Sequence, residues 1–414
     1  MNISVRLACT GALIVAAGGP IALVAQTPIA ASGRTMESLR LGTVDFPTSG
    51  GAAAQSHFVH GVAALHSFWY EEALEAFARA TEIDPQFAMA YWGEAMCYYR
   101  TFRPGTDLAA GRRALGKIKA TWAVTARERG YIEALHSLYG QTGNANQAAY
   151  ATAMEKLRLA HPEDREAAAF HALALLARGT LENRNKAGEI AREVYRQNPN
   201  HPGAAHYIIH SYDDPQRADR ALEAAQHYAK IAPDAPHALH MPSHIFLQLG
   251  MWDEAFNSND LGWTASVDYV KRKALAPTMR DYHNLHWQIY ALLQQGRHAR
   301  AGELVEEFVR MRAQGELAPV SARYIDTALA NYVTDTRRWD RADALFSAAS
   351  PPAAPGSRGG EVELCGVAPA ATPQSPKKQA PNPLADTGTF LRAYAAAARG
   401  VAAAGDRTIP GLRD

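Results

Sequence analysis

After one long uncharged run at the start, the apolar and small residues of this chain fall in short, spaced blocks. The run extends from Leu7 to Ala25, with a single cation, Arg6, before it and small residues after it. Ala25 and Ala31 are both placed to precede a cleavage point. This is the anatomy of a secretory signal peptide over residues 1–31. Gly18-Gly19-Pro20 interrupts the run and argues against a stable spanning helix. No second long apolar stretch follows, so the mature chain is expected to be soluble, off the membrane, and periplasmic or secreted. The later blocks have a different spacing. In residues 54–87, AQSHFVHGVAALHSFWYEEALEAFARATEIDPQF, Gly61 is followed by Ala73, Phe77 and Ala80, and then by Pro85. Offsets of three and four share a helix face. The block therefore predicts two antiparallel helices that touch at Gly and Ala, with Pro ending the second.

These markers resemble the tetratricopeptide repeat, a pattern of G-x2-Y, A-x3-F and P over about 34 residues. His57 stands where Trp is usual and Ala64 where Tyr is usual. Further frames follow from Ala, Gly and Pro alone. One runs through Tyr91-Trp92-Gly93-Glu94, another from Tyr131 to Pro162, and another from Glu166 through Ala187 and Ala191 to Pro199. The next carries Ala221 and Pro233. Frames beginning at Pro236 and Tyr282 carry Gly250 with Ala255 and Gly296 with Ala301, and a last one near Arg323 carries Ala342 and Phe346. About eight hairpins over residues 40–348 are expected. The resemblance implies an all-α fold, a right-handed superhelical α-solenoid, because a lone hairpin cannot bury its apolar face. Residues 349–386, rich in Pro, Ala, Ser and Gly, read as a disordered linker, and 387–414 as a terminal helix or tail.

The histidines change the picture. The resemblance implies that the second, fifth and ninth residues of each frame line the concave groove. In the frame from Pro202 the fifth and ninth are His206 and His210. In the frame from Pro236 all three are histidine: His237, His240 and His244. In the frame from Tyr282 they are His283, His286 and Tyr290. Seven of nine groove places are thus histidine, while the other nine of the chain's 16 are scattered. HYIIH (206–210) and HMPSH (240–244) are pairs four residues apart, so each points two imidazoles the same way. Neighbouring helices pack about 8–10 Å apart, close enough to share an ion. These seven residues are the expected metal ligands, for zinc, copper or iron. Pro242 should bend its helix. Asp213, Asp214 and Asp281 are placed to ligate or to fix a histidine tautomer, and the run Asp213-Asp214-Pro215 reads equally as a helix stop and N-cap. His57, His60 and His66 read as packing or buried polar residues, with His60 and Glu94 in equivalent places. His136, His161, His171, His201, His227 and His298 read as surface or cap residues.

Composition narrows the functions. With 42 Lys+Arg against 41 Asp+Glu the net charge is +1, which argues against a general nucleic-acid binder or a polybasic membrane patch. Three cysteines are too few for a disulfide scaffold, and removing the leader leaves only Cys97 and Cys365. No nucleophile elbow, phosphate loop or dinucleotide fingerprint is present. Two functions remain. One is a metal site in the groove, in a metalloenzyme or a storage or delivery protein. The other is a peptide- or protein-binding scaffold without metal, the usual work of the repeat family, although its peptide clamps use Lys, Arg and Asn where this chain has His.

Overall fold

The computed structural model of the chain describes residues 39–103, 105–140, 142–318 and 321–347. The leader, the linker and the terminal tail expected from the sequence all lie outside the described residues. Within them the chain is helical and arranged as successive hairpins. The first four pair α1 (Ala52–His66) with α2 (Tyr70–Ile83), α3 (Ala88–Tyr98) with α4 (Leu108–Leu115), α5 (Ala126–Tyr139) with α6 (Gln147–Ala160), and α7 (Arg165–Leu176) with α8 (Leu181–Gln197). In the fifth, α9 (Pro202–Tyr212) pairs with α10 (Leu222–Ile231). In the sixth, α11 (Pro236–His240) and α12 (Pro242–Gln248) together face α13 (Trp252–Arg272). The last two pair α14 (Tyr282–Gln294) with α15 (His298–Ala313) and α16 (Ala322–Thr336) with α17 (Ala342–Ser347). Every frame read from the sequence falls on one of these hairpins.

Local chemistry accounts for the boundaries. Asp107, Asn146, Asp164 and Thr180 cap the helices they precede by accepting from backbone N–H groups. Thr125 and Glu128 form a reciprocal capping box. Pro202, Pro236 and Pro242 each occupy the first turn of a helix, where the missing N–H costs nothing. Pro242 divides one helical run into α11 and α12 at Met241, whose own backbone stays right-handed helical. The small-residue markers have a steric cause. A Cβ at Gly61 or at Gly93 would lie 2.7 or 2.4 Å from the Phe77 ring, so two helices close on one aromatic.

The stack curls far enough for its first hairpin to meet its fifth and sixth. Tyr228 on α10 donates to Ser67 (3.2 Å), and Trp69 packs edge-on against Tyr269 of α13 at 5.0 Å. Gly203 permits this approach, because a Cβ there would stand 2.4 Å from His66 Nδ1. One apolar core runs from the N-terminal segment to α13, and a second joins α14 to α17. Of the histidine-bearing helices, α9, α11 and α12 contribute to the first core and α14 to the second. Among the described residues no helix is long and apolar enough to cross a membrane.

Candidate metal centre

The seven histidines expected on the groove face converge. Rings of His206 and His210 lie 4.8 Å apart, His206 and His237 5.0 Å, His240 and His244 5.0 Å, and His240 and His283 4.8 Å. Two sets of three result, His206–His210–His237 and His240–His244–His283, each with ligand-type nitrogens within 4.8 Å of one another. An ion at about 2.0–2.1 Å from three nitrogens needs them about 3.5 Å apart, so closure is a matter of side-chain adjustment. His286 belongs to neither set. It stands beside them, 6.1 Å from the His283 ring and 6.2 Å from Tyr324. Tyr290 turns away to pack on Trp252.

Helix geometry places the pairs, and partners from other helices fix their tautomers. His206 Nδ1 donates to the His66 carbonyl at 2.7 Å. His240 Nδ1 donates to Asn259 Oδ1 at 2.7 Å, and Asn259 spends its own N–H on the Ala255 carbonyl. His244 Nδ1 donates to Asp213 Oδ2 at 2.8 Å. Each acceptor lacks a proton of its own, so in these three rings Nε2 is left with its lone pair. The Nε2 atoms of His206, His210 and His237 are buried without a hydrogen-bond partner, as are both ring nitrogens of His283 and of His286. His240 Nε2 and His244 Nε2 face each other at 3.1 Å. Arg103 donates to His237 Nδ1 at 3.4 Å. That bond puts the His237 proton on Nε2, so His237 ligates only as its other tautomer and is the least prepared of the six. Burial pushes His206 down to about 3 and His286 down to about 4. It holds His210, His237, His240 and His283 well below the ordinary histidine value. These rings are neutral at physiological pH, the form that binds metal.

Asp213 and Asp281 resolve as follows. Asp213 both ends α9 and accepts from His244 and from Gln248 (3.1 Å), so it orients a ligand. Asp214, its neighbour, pairs with Arg184 and Arg217 and shapes the turn. Asp281 caps α14 and stands 3.8 Å from Arg103.

The sequence did not disclose the aromatic wall. Phe68 lies 4.3 Å from the His206 ring and stacks on His237 at 5.6 Å, and Phe102 stacks on His210 at 4.6 Å. Both have left-handed backbones, φ +52° and +59°. That conformation costs a bulky L-residue about 1–2 kcal/mol. Phe68 N–H bonds the Leu65 carbonyl and Trp69 N–H the Ala64 carbonyl, a helix ending that normally carries Gly at the position of Phe68. A ring has been kept where a hydrogen atom would cost less. The one sequence signal was the separation of Phe68 and Phe102, 34 residues or one repeat.

A third group was also missed. His171 and His201 are not surface residues: both are buried. His201 does cap α9, accepting from Ala204 N–H at Nδ1 (3.1 Å), but its Nε2 donates to Glu166 Oε1 at 3.0 Å. His66 Nε2 donates to Glu166 Oε2 at 2.7 Å, and His66 Nδ1 accepts from Tyr207 at 2.8 Å. Burial opposes the Glu166 charge, but the two histidines outweigh it and hold the carboxyl well below its usual range. The cause of the error is tertiary, since α1, α7 and α9 meet only because the stack curls. His60 and Glu94 do not pair; His60 bonds Glu72 (3.1 Å) and Glu94 bonds Lys117 (2.8 Å).

A cavity of about 700 Å³ adjoins the histidines. It is lined by His237, His240 and His283, by the rings of Phe68, Tyr269 and Tyr324, and by Arg100, Arg103, Arg280 and Arg323.

No protein-family model matches this chain, and no curated protein matches it. Among solved structures, the P58(IPK) TPR domain aligns with 72% of this chain and 92% of its own length, at 14% identity and a TM-score of 0.22. The human IFIT1 dimer with m7Gppp-AAAA aligns with 73% and 78%, at 15% identity and a TM-score of 0.33. The fold assignment rests on the hairpins themselves. They make the described chain an all-α solenoid of tetratricopeptide-like helix pairs, with histidines gathered on its inner side.

Proposed function

We propose that this chain is an exported solenoid whose inner face holds a histidine metal centre. One observation carries the reading: His240 Nε2 and His244 Nε2 stand 3.1 Å apart while the Nδ1 protons of both rings are committed to Asn259 and Asp213. When both rings are neutral, those tautomers direct the two Nε2 lone pairs at each other. A cation between them turns that repulsion into ligation. The unpartnered Nε2 atoms of His206 and His210, buried at the neighbouring set, support the same reading. Zinc, copper and iron all accept imidazole nitrogen. Export is inferred from the leader over residues 1–31. Storage or delivery of the ion needs nothing more than this site. A metalloenzyme needs access for a substrate, which the adjoining cavity offers.

A second reading is peptide or protein capture. Helix-hairpin solenoids present concave binding surfaces, and the arginine- and aromatic-lined cavity favours it. The two readings separate by elemental analysis of protein purified without a histidine tag. The metal centre predicts at least one bound transition metal per chain, lost in a His240→Ala/His244→Ala double variant that keeps its helical circular dichroism. Substoichiometric metal, or metal retained by the double variant, would sink it in favour of capture.

A further inference from the structure

The two triads share a property that bears on the identity and number of ions. All six donors are neutral imidazole nitrogens, with no carboxylate or thiolate in either set. Asp213 reaches only the far nitrogen of His244 and so does not neutralise an ion directly. An ion seated here keeps its full charge. Its surroundings are poor in water: Phe68, Phe102 and Trp287 lie 4.3, 4.6 and 4.8 Å from His206, His210 and His244. The desolvation cost of an ion grows with the square of its charge, so a divalent ion costs about four times as much as a monovalent one of similar size. The Arg103 guanidinium beside His237 adds further positive potential.

The triads also adjoin each other. His237 and His240 rings are 5.8 Å apart, and His210 and His244 rings 6.4 Å. Two divalent ions in adjacent neutral cages repel about four times as strongly as two monovalent ones. Zinc on three histidines completes its coordination with a water or a substrate atom. Among the metals that favour imidazole, copper is the one readily held as a monocation with three ligands.

We propose that the two triads bind a pair of copper(I) ions, one on His206, His210 and His237 and the other on His240, His244 and His283. This rests on the metal-centre reading and adds the number and identity of the ions. His237, His240 and His283 line the cavity, so each proposed ion has at least one ligand that borders it.

The test uses the full chain, without a tag, stripped with EDTA and kept anaerobic. Copper(I) is titrated in competition with bathocuproine disulfonate, then challenged with equimolar zinc. Two copper ions per chain that zinc does not displace are expected, falling to one in His206→Ala and one in His240→Ala. X-ray absorption of the loaded wild type, which needs no variant, should show a copper(I) edge with nitrogen neighbours only. One copper per chain, displacement by zinc, or sulfur in the first shell overturns the copper pair and leaves a metal centre standing. Failure to bind copper, zinc or iron at all overturns both.

Discussion

His66 belongs to one histidine assembly through its ring and supports another through its carbonyl. Its ring joins Glu166, His201 and Tyr207 in a group where all four imidazole nitrogens and both carboxylate oxygens are engaged. Its carbonyl accepts from His206, whose other nitrogen is buried with no hydrogen-bond partner. Both assemblies are buried and rich in histidine. The first is closed on itself: its ligand-type atoms also lie within 4.8 Å of one another, but each ring nitrogen already has a hydrogen-bond partner, and these bonds tie α1, α7 and α9 together. The second is open: one nitrogen of a ring is anchored and the other left for a ligand. Histidine content and burial do not distinguish a structural network from a metal site. The count of unsatisfied lone pairs does.

The largest expected effect tests the closed assembly. Glu166→Ala removes a buried anion and strands two imidazole donors, so it should cost about 3–5 kcal/mol of stability in urea unfolding. Metal content per folded chain should be unchanged. If metal is lost while stability is kept, Glu166 is a ligand and the division between the assemblies fails. Asp213→Ala acts on the open assembly. Without its acceptor the His244 ring loses its tautomer and orientation, and metal affinity should fall about 10–100-fold in chelator competition. Unchanged affinity would show that Asp213 serves only to end α9.

The smallest effect concerns His171, which is in neither assembly and bonds only Arg158, at 3.1 Å. Burial, reinforced by Arg158, pushes it down to about 4 from 6.5. The folded chain therefore resists protonating it, while the unfolded chain does not. Its contribution is intact above pH 6.5 and is lost as pH falls from there toward 4. At pH 5.5 the loss is about 1.4 kcal/mol. His171→Gln should flatten the stability profile of metal-free protein by about 1 kcal/mol between pH 6.5 and 5.5. An unchanged profile would assign the acid sensitivity to the two assemblies instead.

Much of this was legible in the chain before folding. Gly61, Ala73, Phe77 and Pro85 mark a hairpin because close helix contact admits only small residues and proline cannot continue a helix. The groove histidines were legible for a related reason, since residues three and four apart share a face and repeats place equivalent faces side by side. Asn259 and the carbonyl of His66 were not, because each reaches its histidine from a separate helix.

By itself the sequence determined the repeat, the helix ends and the face on which the histidines stand, all consequences of local periodicity and local sterics. Only the tertiary structure decided which of those histidines keep a free lone pair. That depends on how far the solenoid curls, since curling brings α1 against α9, closes the His66–Glu166–His201 network, and lays Phe68 and Phe102 over the rings that remain open. Hydrogen-bond satisfaction in a buried site depends on contacts across distant repeats, and no pattern within one repeat contains them.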